Sequence, residues 1–187
     1  MSLSKWFAAA LVVVGVGGVA LTSVWAGEPE ESRVERGRFL VTAMGCNDCH
    51  TPLALGPNGP APDMARMLSG HPEGLVMPAA PALPEGPWGV VASHTLTAWN
   101  GPWGTSFTAN LTPDEETGLG KWTEDEFVAT LKTGRHLGRG RQILPPMPWQ
   151  NAAQVPEADL RAMFAYLRTI PAVKNHVPQP MPPASVR

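Results

Sequence analysis

The pentapeptide Cys46-Asn47-Asp48-Cys49-His50 constrains this chain more than any other stretch of it. Cysteines at positions one and four with a histidine directly after them form the attachment pattern for a c-type haem. Each thiol can close a thioether on a vinyl group while the imidazole reaches the iron from the same short turn, so one segment fixes both the porphyrin edge and the proximal ligand. Thiolates also serve a structural disulfide, a redox-active pair or half of a zinc site. Zinc needs about four protein ligands; the chain has no further cysteine, and His71, His94, His136 and His176 lack the H-x3-5-H spacing. A thioredoxin-like pair opens a helix after a strand, whereas the residues before Cys46 read as helix. One covalently bound haem c, with its iron, is the cofactor that the residues favour.

Of 187 residues, 21 are Pro and 19 are Gly, a share too dispersed for collagen and high enough to predict long irregular loops. A hydrophobic fraction of 43% supports one ordinary core. The formal net charge of -2 gives no reason to expect nucleic acid as a partner. Its distribution is uneven: residues 27–119 hold four basic against eleven acidic side chains, and residues 120–187 hold nine against five. Such a dipole can orient an encounter with a redox protein, and an uneven solvated surface gives the same count.

Residues 1–26 read as a signal peptide or a single N-terminal membrane anchor, residues 27–177 as the haem domain and residues 178–187 as an extended Pro-rich tail. After Lys5 no charge occurs through Ala26, and Val24-Trp25-Ala26 is an acceptable cleavage site. The same run is long enough to span a bilayer, with Trp6 and Trp25 at its ends. Either way Lys5 stays cytoplasmic and the domain lies on the periplasmic side, anchored or released by cleavage.

Within the domain, residues 30–42 carry Val34, Leu40 and Val41 broadly at helical spacing, with Gly37 inside as a candidate close crossing. Residues 51–105 hold ten prolines and predict no regular structure beyond a short turn at Asp63 to Leu68. Thr112-Pro113-Asp114-Glu115 reads as a short capped turn ended by Thr117-Gly118. Thr123-Glu124-Asp125-Glu126 is a capping box before Phe127, Val128 and Leu131, with Gly134 as the stop. A basic loop of Arg135, Arg139 and Arg141 follows. The last helix opens at Pro156-Glu157, buries Leu160, Met163, Phe164 and Leu167, and ends before Pro171.

An iron held by His50 needs a sixth ligand to transfer electrons instead of binding gases, and a Met thioether favours Fe(II). Met147, between Pro146 and Pro148 and just upstream of the last helix, is the candidate, its prolines predicting a rigid extended loop. Met77, before Pro78, is the rival, and an open site is the remaining alternative.

Several of these segments together resemble a known family. C-N-D-C-H after a Gly-containing helix, A-N-L-T-P-D-E-E-T-G-L-G-K-W at Ala109 to Trp122, T-G-R-H, L-P-P-M-P-W and A-Y-L-R-T-I-P-A-V look like a class I c-type cytochrome. The chain is more closely similar to single modules of the membrane-associated cytochrome c subunits of periplasmic alcohol, aldehyde and sugar dehydrogenases, over roughly Arg33 to Val177. The resemblance implies an all-α fold with N- and C-terminal helices crossing near Gly37 and Tyr166. It implies Cys46, Cys49, His50 and Met147 as haem-binding residues, with His50 and Met147 on the iron. The function expected is one-electron transfer by a monohaem carrier, not itself an enzyme, between a dehydrogenase or respiratory complex and an oxidase or soluble carrier. A haem-based gas sensor, or a peroxidase-type enzyme using His94 or His136 over an open distal site, is the alternative. The chain departs from multihaem relatives in its lone C-x-x-C-H and in the Pro/Trp-rich stretch between Gly56 and Thr105.

Overall fold

The computed structural model describes residues 29–81 and 86–183. The signal or anchor reading for residues 1–26 lies outside the described residues.

Acidic Glu30 and Glu31 open α1 (Glu30–Ala43), where negative charge suits the exposed N–H groups of a first turn. Its inward face is Gly37, Leu40 and Val41. Gly45, at φ 67°, then reverses the chain into α2 (Cys46–His50), which carries the whole haem motif. Thr123 and Glu126 form the complete capping box of α3 (Glu124–Thr133), and Gly134 closes it in the left-handed conformation at φ 66°. A four-residue α4 (Trp149–Ala152) precedes α5 (Glu157–Leu167).

The helices meet around Leu40, Val41, Phe127, Leu131, Leu160 and Phe164. Gly37 lies at the crossing of α1 and α5: a Cβ there would run into the Ala162 carbonyl and come within 2.9 Å of the Tyr166 Cβ. Arg161 of α5 pairs with Glu124 and Asp125 of α3 at 2.8 and 2.7 Å, Arg33 of α1 reaches the same Glu124, and Arg36 holds Asp159 at 2.9 Å. One charge network therefore ties the N-terminal ends of α3 and α5 to α1.

The expected all-α class is wrong. The chain is 33% helix and 14% strand, with two antiparallel sheets among the described residues. Strands β1 (Leu53–Gly56) and β2 (Gly59–Pro62) form one ribbon; β3 (Val91–Ala92), β4 (Ala98–Gly101) and β5 (Gly104–Phe107) form the other sheet in that order. Both lie in the stretch whose prolines predicted irregular chain. Proline removes ladder donors only where an N–H must face a neighbour, and Pro60 and Pro62 sit on a two-stranded ribbon with no further strand to serve. The two hairpins also share a closure, Gly56-Pro57-Asn58-Gly59 and Gly101-Pro102-Trp103-Gly104, in which the glycines pair and the proline presets the first turn residue.

The Pro-rich tail is tied down. Met181 exchanges both backbone hydrogen bonds with Thr105, each at 2.9 Å, on the free edge of β5. Gly104, at φ 92°, admits it, because a side chain there would meet the Pro182 and Pro183 backbone.

Candidate haem-binding site

In α2, Cys46 and Cys49 fall one helical turn apart as free thiols. Burial pushes the Cys46 thiol up to about 11, the nearby Asp48 carboxylate adding to it, and raises Cys49 in the same way. Neither is the low-pKa thiolate that a redox-active pair depends on. Among the described residues no three His, Cys, Asp or Glu side chains gather as a metal site, so the zinc alternative has no ligand set there.

His50 is 8% exposed. Its Nδ1–H donates to the Ala109 carbonyl at 2.8 Å. Burial lowers its pKa below the ordinary imidazole value, against the opposing pull of that carbonyl, so the ring is neutral and Nε2 carries the lone pair. Among the described residues the side chain of His50 hydrogen-bonds through Nδ1 alone, leaving Nε2 without a partner there. A neutral imidazole fixed through Nδ1 and open at Nε2 is the donor that an iron centre requires, its carbonyl partner setting ring orientation and basicity.

Neighbouring residues hold this ring in place. Thr51 Oγ1 donates to Asn47 Oδ1 at 2.9 Å and accepts from the Leu68 amide at 2.9 Å, which joins α2 to the following loop. The Gly70 amide donates to the His50 carbonyl at 2.8 Å, and the His71 amide to the Thr108 carbonyl at 3.0 Å. Residues 68–71 thus lie between the haem motif and the segment that supplies Ala109.

Met147 is partly buried and packs against the helical core, as Cys46 does. It lines a cleft of about 270 Å³ with Gln142, Ile143, Pro145, Pro146 and Trp149. The loop is not the extended segment expected: a turn at Pro145-Pro146 precedes Met147, and α4 separates it from α5. The sheet braces it, because Ser106 Oγ of β5 donates to the Pro145 carbonyl at 2.5 Å. Met77 lies elsewhere, in a cleft with Val91, Ala98, Trp99 and Asn100. His94 and His136 are both exposed, His136 standing edge-on to Trp122 at 5.1 Å.

The sequence reading missed Ala109, Gly70, Thr51 and Ser106, whose roles run through backbone groups or reach across long separations. Gly70 at φ 78° offered one signal, a glycine directly after Leu68-Ser69 in a segment otherwise free of glycine back to Gly59.

No family model matches the chain. It is 25% identical over 93% of its length to the cytochrome c subunit of a quinone-type alcohol dehydrogenase from Gluconobacter oxydans, covering 30% of that protein. It is 23% identical over 83% of its length to the cytochrome c subunit of gluconate 2-dehydrogenase from Pantoea cypripedii, covering 27% of it. A dihaem cytochrome c-type protein from Cereibacter sphaeroides is 29% identical over 78% of this chain and 37% of its own. The chain therefore spans well under half the length of these curated relatives. Along most of its length, and at low identity, this chain is similar to the cytochrome c subunits of alcohol and gluconate dehydrogenases, as a cytochrome c module would be.

Proposed function

We propose that this chain is a monohaem electron-transfer subunit that serves a dehydrogenase outside the cytoplasm. The observation that carries the reading is His50: buried, neutral, bonded through Nδ1 and open at Nε2, one residue after a free cysteine and four after another. When bound, haem c supplies a one-electron Fe(III)/Fe(II) couple.

The chain's own residues do the rest. With haem c bound, Cys46 and Cys49 would offer protonated sulfurs for thioether formation, His50 would offer Nε2 to the iron, and Met147, on a loop braced by Ser106, would offer it a thioether sulfur. The single C-x-x-C-H motif supports one haem. The relatives' names support a dehydrogenase as the electron donor. The uncharged run through Ala26 supports export or anchoring, so that the domain works on the periplasmic side and passes electrons to a respiratory complex, an oxidase or a soluble carrier. Exposed Arg135, Arg139 and Arg141, next to the Met147 loop, are placed to meet acidic groups of a partner.

Covalent attachment is tested by extracting the matured protein with acidified organic solvent. Colour that stays with the polypeptide, and is lost in a Cys46→Ala/Cys49→Ala variant, supports the reading. Complete extraction of haem from the wild-type chain sinks it.

A further inference from the structure

The Ala109 carbonyl that receives the His50 Nδ1 proton belongs to an exposed alanine whose own side chain fixes nothing, so its position is set by what holds the peptide on either side. On one side lies Gly70. It donates to the His50 carbonyl at 2.8 Å, and a Cβ on it would fall 2.6 Å from the carbon and oxygen of Ala109. Gly70 is itself bracketed by Asn175, which is 2% exposed and whose Nδ2 donates to the Ser69 carbonyl at 2.7 Å and the His71 carbonyl at 2.8 Å. Its Oδ1 accepts the Glu73 amide at 2.8 Å, so both faces of the carboxamide are used.

On the other side lies Asn110, whose Nδ2 donates to the Val173 carbonyl at 2.8 Å and to Thr117 Oγ1 at 3.2 Å. Thr117 Oγ1 also accepts the Asn175 amide at 3.0 Å and gives its own proton to Asp114 Oδ1 at 2.6 Å. Asn175 and Thr117 therefore meet, and each leads to the Ala109 peptide by a separate route.

We propose that Asn175 and Thr117 are positioning residues that press the Ala109 carbonyl onto His50 Nδ1–H and so set the reduction potential of the centre, an inference that rests on the function proposed above. A strong acceptor on Nδ1–H makes the imidazole a better donor and favours Fe(III); loosening the carbonyl weakens that bond and favours Fe(II). Neither residue lies within the haem motif or the Met147 loop, and the C-terminal segment thereby reaches the iron's proximal side from more than 100 residues away in sequence.

The test uses full-length, haem-containing protein in four forms: wild type, Asn175→Leu, Thr117→Val and Thr117→Ser. Leucine keeps the approximate shape of asparagine and loses its donors and acceptor without adding charge; valine keeps the shape of threonine and loses the hydroxyl. The readouts are the midpoint potential and the solvent-exchange rate of the His50 Nδ1 proton in the reduced protein by NMR. Asn175→Leu and Thr117→Val should both raise the potential and speed the exchange, and Thr117→Ser should restore both. Should Asn175→Leu fail to fold, the Thr117 pair decides alone. Wild-type potential and exchange in a haem-containing Thr117→Val protein, or a shift that Thr117→Ser shares, overturns the proposal while the function stands. A wild-type chain that matures without covalent haem overturns both.

Discussion

His50 separates two tasks between its nitrogens, one committed to a backbone carbonyl and one left open, and the proposed second ligand Met147 would decide what a haem centre here can do. Replacing Met147 by Ala should leave haem attached, because the thioether positions are untouched. The ferric protein should then take up added imidazole, the ferrous protein should bind carbon monoxide, and the potential should fall with loss of the Fe(II)-favouring sulfur. Met77→Ala, in its separate cleft, should change none of these. His71 makes a different prediction. Its Nε2–H donates to the Leu75 carbonyl at 2.8 Å, so Nδ1 must accept from Thr97 Oγ1 at 3.0 Å, and behind Thr97 the hydroxyls of Thr95 and Ser93 continue the chain. Burial, with Arg66 nearby, holds its pKa below the ordinary value of about 6.5. An unfolded chain then binds the proton more readily than the folded one, so stability should decline as pH falls from about 6.5 toward the lower folded value. Urea midpoints at pH 7.5 and pH 5.5 check this, and His71→Gln should reduce the difference, with His136 contributing in the same direction. Short-range polar signals were only partly legible in the sequence. Thr112 looked like a cap, yet Asp114 caps that turn with three hydrogen bonds at Oδ1, while Thr112 Oγ1 turns to Asn110. A carboxylate two residues on, able to accept all three bonds at one oxygen, fits the turn better, and periodicity carries no trace of that choice.

Helix packing was easier to read because it repeats. The stripe Leu160, Met163, Phe164 and Leu167 is buried as its spacing predicts, and the capping box at Thr123 and the stop at Gly134 are where the sequence puts them. The crossing at Gly37 was visible as a glycine with no other reason to stand inside a helix. Gly37→Ala should destabilise the fold by about 1–3 kcal/mol through overpacking against the Ala162 carbonyl, enough to lower the thermal midpoint by several degrees. Ala165→Gly, a change of similar size on the facing α5, should cost nearer 1 kcal/mol and provides the comparison. The strands were missed for a definite reason. Prolines were counted as breakers, although the repeated Gly-Pro-x-Gly closes two hairpins whose edges need few donors. The ribbon β1–β2 offered an Asn58-Gly59 pair that should have prompted a hairpin reading. The sheet β3–β5 offered less, because its first strand is only two residues long and Met181, which pairs with β5, arrives from far along the chain.

Taken as one object, the molecule is a helical core whose two candidate ligands are braced by segments outside the helices. Residues 68–71 hold His50, and Ser106 of β5 holds the loop of Met147. The relatives extend well beyond this chain's length, so the proposed dehydrogenase partnership rests on their names and on the similarity of this chain to part of them. Among the described residues no helix is long and apolar enough to cross a membrane. The export reading therefore depends on residues 1–26, and it makes a prediction: protease added to spheroplasts should digest the domain. Intact mass then separates the two forms, a chain beginning near Gly27 marking cleavage and one retaining Met1 or Ser2 in the membrane fraction marking an anchor. The docking of Met181 on Thr105 and of Asn175 on Ser69 has a further consequence, concerning time. The thiols and His50 sit on one short helix that needs only local contacts, whereas Asn175 reaches Ser69 across 106 residues, a contact that costs more closure entropy and forms later. Until it forms, residues 68–71 have no Asn175 to seat them and β5 has an open edge. The folding chain therefore passes through an interval in which its thiols are present and its enclosure is not, and the docking of the segment from Asn175 to Met181 is what brings that interval to a close.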